Sequence, residues 1–494
     1  MEVKKEIKKF LNSFDEFFVF ILFFVIIFGF RMYLTTYAGD ELWVFQNIYK
    51  IYNEYKIYVD ANVITTPLYY FIGAYFFKVF GANFFIFKLY SILISSFLFL
   101  GIYKLFKCLK IKNIYALFCT LFFLIVELNI MNYGDYNIMA IFFAIMGIIV
   151  ILNKENYSNK KFIILETICA FLVFFTKQNI GAYYLIGLSI YLLIYENKKN
   201  KIKNILKIYI LFLLLILINL FAFYKNGILN GFISYCVLGI KEFSQKNFKI
   251  IFNGYILNFI FLSMINVILV FLINKKKILS KDERNNINII SCFSLPFLLI
   301  SYPIANKVHN MLSMILVYII LIYFIYILLL NFDLLNNDKV IKFIIRCIIA
   351  VFLGSSIAKC CLYFYKINNK YKFEYNNIYY GAIIDEEILK KMDNVTNYIK
   401  NSQQKVIVFS IEAGFYNMPL KISNGSFDEP LMGNFGKDGE DGIIEQISKM
   451  KNTIFLVKDE NKIGQESQKI QNFIKNNLIY DGMIEDFYIY KTKN

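Results

Sequence analysis

Histidine and tryptophan each occur once in the 494 residues, and proline five times. The single histidine, His309, excludes His-rich metal sites and His-Glu-x-x-His peptidases, which need two on one helix face. A Ser-His-Asp triad could only be built around His309, and no Gly-x-Ser-x-Gly accompanies it. The P-loop pattern Gly-x4-Gly-Lys-Ser/Thr is missing; Gly433-Asn434-Phe435-Gly436-Lys437 is only a loose echo of it. The eight cysteines form no Cys-x-x-Cys pair and all lie in or near apolar segments, so a disulfide framework is not indicated. Few prolines and only 23 glycines reject collagen-like and low-complexity classes. Charged residues are scarce at 18%, whereas 58% of residues are hydrophobic and 19% aromatic, with 54 Phe and 38 Tyr. That composition excludes a soluble enzyme and leaves a polytopic membrane protein.

The formal charge of +17 suggests nucleic acid until its placement is read. Residues 371–494 hold 15 Lys and 18 Asp or Glu, and the first 370 hold 38 basic and 18 acidic residues. The excess therefore belongs to the apolar part, as in the cytoplasmic loops of membrane proteins, and no nucleic-acid partner is expected.

A bilayer-crossing helix needs about 20 mostly apolar residues. Eleven such runs are expected, at 17–35, 86–103, 113–130, 137–153, 162–177, 180–195, 205–224, 252–273, 286–302, 309–331 and 341–364. With a cytoplasmic N-terminus, 24 of the 38 basic residues fall in inside loops or helix ends, among them Lys104 to Lys112 and Lys275 to Arg284. The protein is thus read as a multi-pass protein of the cell membrane, with its C-terminal part extracytoplasmic. Thr36-Tyr37-Ala38 faintly suggests a signal-peptidase site, but the apolar core before it is long and ten spans follow, so the first helix is read as a retained anchor. Thr66 to Gly81 is apolar but short and is read as an interfacial helix on the outer leaflet.

Beyond residue 371, after an Asn- and Tyr-rich join from Ile367 to Tyr380, charge rises and helical and strand-like pieces alternate. Helices are expected at 385–401, 439–451 and 465–476, and strands at 405–409, 453–457 and 487–490. The expected architecture is an α-helical membrane domain over 1–366 and a small α/β extracytoplasmic domain over 371–494.

Within the spans charged residues are few, with Glu127 and Lys359 toward outer ends, which weakens an ion-coupled transporter. Polar residues gather instead at the outer junctions. Gly39-Asp40-Glu41 follows the first span, with Tyr58-Val59-Asp60 and Thr65-Thr66-Pro67 further on. Asn132 to Asn137 surrounds Asp135, Thr176 to Gly181 carries Lys177 and Gln178, and Tyr302 to Asn310 carries Lys307 and His309. Asp40 or Asp135 taken singly also suits a helix cap, and Lys177 also suits a headgroup anchor. Together they suit a reaction on a lipid-borne anion: a carboxylate takes the proton from an attacking hydroxyl while cations stabilise the departing phosphate. Asp40, with Glu41, suits the base; Lys177, Gln178, Lys307 and His309 suit the phosphate; Asp135 and Asp60 suit support of an acceptor. No cofactor is required, although Asp40, Glu41 and Asp135 could hold a divalent cation, Mg or Mn, by their oxygens.

These features resemble the GT-C superfamily of polyprenyl-phosphate-sugar glycosyltransferases, in the branch of protein O-mannosyltransferases and aminoarabinose transferases. The resemblance is carried by Gly39-Asp40-Glu41, the Pro67-Leu68-Tyr69-Tyr70 to Phe80-Gly81 helix, the Asp135 loop and the Thr176-Lys177 turn, and its layout covers nearly the whole chain. It implies a sugar taken from a polyprenyl-phosphate lipid and passed to a cell-envelope glycan, lipid or protein, with Asp40 at the general-base position. The Arg-rich loop segments of many relatives are missing, and Asn306-Lys307 with His309 stands where others place different phosphate-binding groups. The alternative reading is a transporter or flippase of lipid-linked glycans.

Overall fold

The computed structural model describes residues 2–34, 36, 39–196, 200–241, 254–275, 279–301, 306–331, 338–370, 378–384, 386–428, 430, 434–458 and 467–493. Tyr37 and Ala38, the stretch 302–305, most of the join after Ile367 and Gly433 lie outside them. The chain divides into two compact units, the first comprising 1–33, 91–217 and 250–364, the second 34–90, 218–249 and 365–494.

The protein is a multi-pass, α-helical membrane protein. Eleven helices stand at the expected spans: α1 (Glu2–Met32), α4 (Phe84–Cys108), α5 (Asn113–Ile130), α6 (Tyr136–Leu152), α7 (Asn159–Thr176), α8 (Gln178–Tyr195), α9 (Lys201–Lys225), α11 (Gly254–Lys275), α12 (Lys281–Phe297), α13 (Lys307–Asn331) and α14 (Asp338–Lys370). Hydrocarbon offers the backbone no partners, so apolar segments of this length close their hydrogen bonds internally. Among the described residues five are long and apolar enough to cross a bilayer by length and composition: α4, α5, α9, and Lys307–Leu330 and Lys339–Lys366 within α13 and α14. In the first unit α6 packs on α7, α7 on α8, and α8 on α12. Small residues allow the close approaches: a Cβ on Gly147 would meet the Tyr184 ring, and one on Gly187 the Phe293 ring and the Cys292 carbonyl. The ninth span begins earlier than expected because Ser280 and Glu283 form a capping box there, and it ends at Phe297, just after Pro296.

The second unit contains α2 (Asp40–Tyr52), α3 (Leu68–Phe80), the short α10 (Leu229–Phe232) with the π-turn after it, and the C-terminal α/β part. At 13 residues α3 is too short to span. It buries Tyr69, Tyr70, Ala74 and Phe77 and exposes Phe71, Ile72, Tyr75, Val79 and Phe80, the two-sided pattern of an interfacial helix. The segment expected only as an outer loop proves to be α2, whose residues Glu41 to Lys50 are all buried. Chain from 378 onward covers it: Thr36 N–H donates to the Ile383 carbonyl, Phe84 N–H to that of Ile378, and the Tyr379 ring stands 6.5 Å from that of Phe45.

The C-terminal helices are α15 (Glu386–Asn401), α16 (Ala413–Asn417), α17 (Gly439–Lys449) and α18 (Gln468–Asn477). Four strands, β1 (Lys405–Phe409), β2 (Thr453–Lys458), β3 (Ile479–Ile484) and β4 (Phe487–Lys491), lie in the order β1-β2-β4-β3. The β1/β2 pair is parallel with Ile407 opposite Phe455, and the other pairs are antiparallel. Ile407, Phe409, Phe455, Val457 and Tyr490 form the core with Ile443, Ile447, Ile470 and Ile474. The runs KVIVF and TIFLV are strands buried on both faces, as continuous apolar runs should be. β3 has no such run: IYDGMI is interrupted by Asp481-Gly482 and mostly exposed.

Candidate functional site

In the second unit Gly39 precedes α2 with φ +125°, a region favouring glycine, and its carbonyl accepts the Trp43 N–H at 2.9 Å. The next two residues are both acidic and sit in the first turn, where the helix dipole favours negative charge. They have opposite fates. Asp40 is exposed, whereas Glu41 is buried and lies 2.8 Å from Lys88 Nζ. That ammonium also lies 5.4 Å from the Phe84 ring centroid. Asp60 closes a turn: its Oδ2 accepts the Lys56 N–H at 2.7 Å, and its carbonyl accepts from Lys50 Nζ at 3.1 Å. Lys50 is paired in turn with buried Asp428, whose Oδ1 accepts from Asn417 and whose Oδ2 accepts the Asn424 N–H.

In the first unit the polar groups gather at one end of the helix bundle. Asp135 is buried and caps α6: its Oδ1 accepts the N–H groups of Asn137 and Ile138 at 2.9 and 3.0 Å, and its Oδ2 accepts from Asn137 Nδ2 at 2.6 Å. Burial pushes its carboxyl above the usual carboxylate range, although these hydrogen bonds and the charge of Lys177 pull the other way. Lys177 joins α7 to α8, and its Nζ stands 4.4 Å from the Tyr136 ring centroid; Gln178 is the first residue of α8. Asn306 begins α13, its Oδ1 accepting the His309 N–H at 2.9 Å and facing His309 Nδ1 at the same distance. His309 feels the charge of Lys177. Lys307 is exposed and, with Glu127, Asn310, Phe99, Phe123 and Met314, lines a mainly apolar cleft of about 260 Å3.

Asp135 and His309 thus both feel the charge of Lys177 within the first unit, and Lys307 shares the cleft with Glu127. Asp40, Glu41 and Asp60 belong to the second unit. Among the described residues no three of His, Cys, Asp or Glu cluster so as to hold a metal ion. The oxygens of Asp135 are engaged in capping and Glu41 is paired with Lys88, so these residues do not fit a divalent-cation site.

A pair that sequence reasoning missed lies beside Asp135. Arg31, in the last turn of α1, is fully buried and ion-paired with buried Glu127 of α5. A basic residue at the end of an apolar helix ordinarily reads as a headgroup anchor. The available signals were its rarity, since only three of the 53 basic residues are arginine, and an acid inside an apolar span.

No family model and no curated relative matches the sequence. In fold the chain is similar to the crystal structure of ArnT from Cupriavidus metallidurans bound to undecaprenyl phosphate, with a TM-score of 0.53 over 97% of each chain at 9% identity. At that identity the likeness is one of fold.

Proposed function

We propose that the protein is an integral-membrane glycosyltransferase that moves a sugar from a polyprenyl phosphate to a cell-envelope acceptor on the outer face. One observation carries the reading: a fold shared end to end with a protein crystallised with undecaprenyl phosphate. An exposed carboxylate at the head of α2 supports it.

In this mechanism the acceptor hydroxyl oxygen attacks the anomeric carbon from the face opposite the phosphate. The bond between that carbon and the phosphate oxygen breaks, the polyprenyl phosphate leaves with the electron pair, and the anomeric centre inverts. Asp40 takes the hydroxyl proton, a role its exposure allows and the buried, paired Glu41 does not share. Lys177, with Gln178, Lys307 and His309, stabilises the phosphate as its charge grows.

The test compares wild type with Asp40→Asn, both purified, using radiolabelled polyprenyl-phosphate sugars and cell-envelope extract. Transfer by the wild type should fall about 10²-fold or more in the variant while undecaprenyl phosphate is still bound. No transfer by either protein, with labelled lipid crossing vesicles equally well for both, overturns the reading in favour of a flippase.

A further inference from the structure

The end of the first unit that holds Asp135 rests on a buried charge pair for which the transfer chemistry has no direct use. Arg31 spreads its guanidinium over two partners: one nitrogen pairs with Glu127 Oε1, and Nη1 donates to Ser95 Oγ at 2.6 Å. That fork is a geometry lysine cannot supply. Both charges sit within apolar helices, where burying an ion pair is expensive and well-packed apolar residues would give equal or greater stability.

The segment leading into Asp135 is seated directly on this pair. Gly134 N–H donates to Ser91 Oγ at 2.5 Å. A Cβ on Gly134 would lie 2.5 Å from the Ser91 carbonyl and from Ser95 Oγ, and 3.3 Å from Arg31 Nη1, so no side chain fits between the segment and the guanidinium. Ser95 thus touches Arg31, Glu127 and Gly134 together. The following residue caps α6 and feels Lys177, and Glu127 on its other side lines the cleft with Lys307.

Resting on the proposed transferase activity, we infer that Arg31 and Glu127 are a positioning pair: they fix residues 131–135, and through them the spacing of Asp135, Lys177 and the cleft. Neither touches the reacting atoms. Their service is to hold the phosphate-facing groups in one arrangement, where a displacement of about 1 Å can cost 10²-fold in rate.

The test uses the full-length chain in lipid nanodiscs, as wild type, Arg31→Lys, and Arg31→Met/Glu127→Met. The double variant replaces the pair by apolar side chains and should unfold at or above the wild-type temperature. In it, amide hydrogen exchange of a peptide covering 131–138 should quicken, and kcat for transfer should fall about 100-fold with undecaprenyl phosphate still bound. Arg31→Lys, which keeps the charge and loses the fork, should fall between the two and serves in place of the double variant if that fails to fold. Unchanged exchange at 131–138 overturns the inference whatever the activity, as does quickened exchange with wild-type kcat. A wild type inactive on every lipid-linked sugar defeats the transferase reading instead, and the exchange comparison then decides the seating of the segment alone.

Discussion

The heads of α2 and α6 look alike in sequence, each an acidic residue just where an apolar helix meets a polar junction, yet the structure uses them oppositely. At α2 the capping position falls to Gly39, so Asp40 is left exposed while its neighbour Glu41 turns inward to Lys88. At α6 the acid is itself the cap, buried, with both oxygens accepting hydrogen bonds. A carboxylate that caps its helix serves stability, whereas one outside the capping position keeps its access to solvent. Two residues that spacing alone makes equivalent thus stand in different settings, one exposed and one buried as a cap.

The sharpest way to break the contrast is at the base of α2. Lys88→Met strands Glu41 as a buried charge without its partner and should cost about 3–5 kcal/mol in unfolding free energy. Lys88→Met combined with Glu41→Gln should recover most of it. If the single change costs nothing, Lys88 does not hold the head of α2. A smaller effect belongs to α6: Asp135→Ala removes the acceptor of two backbone N–H groups and should cost about 1 kcal/mol. Asp135→Ser, which restores the cap, should leave both stability and transfer near wild type. A large loss of transfer in Asp135→Ser with stability intact would give Asp135 a chemical role and erase the distinction.

Much of this architecture is legible in the sequence because the physics that sets it is local. The eleven helices follow from run length and the need to close backbone hydrogen bonds in hydrocarbon, and β1 and β2 from short apolar runs bounded by polar residues. What escapes is non-local. α2 reads as a loop because Gln46, Asn47 and Lys50 interrupt its apolar face, yet all three are buried, Lys50 against Asp428 and Gln46 beside Gly414 of the distant C-terminal chain. Lys50 finds Asp428 across 378 residues, and Arg31 finds Glu127 across 96, distances over which no pattern within one helix can signal a partner. That Asp135, Lys177 and His309 each stand at a helix junction was legible from the polar residues around them. The different settings of Asp40 and Asp135 were not, since capping depends on the backbone angles around the first turn.

The finest probe of the comparison is pH. Burial raises the carboxyl of Asp135 above its ordinary value of 3.8, so the native state holds that proton more tightly than the unfolded chain does. Stability then falls with rising pH wherever the native state carries the extra proton, from the ordinary value up to the raised one, and is level above it. Asp135→Asn keeps a capping oxygen and has nothing to titrate. The difference in unfolding free energy, wild type minus Asp135→Asn, should therefore decline as pH rises from below 3.8 and then flatten. A difference that instead grows as pH rises towards 3.8 and is level above it would mean that Lys177 and the cap amides outweigh burial, and that the carboxylate is held ionised. The contrast between the heads of α6 and α2 would then rest on burial against exposure alone.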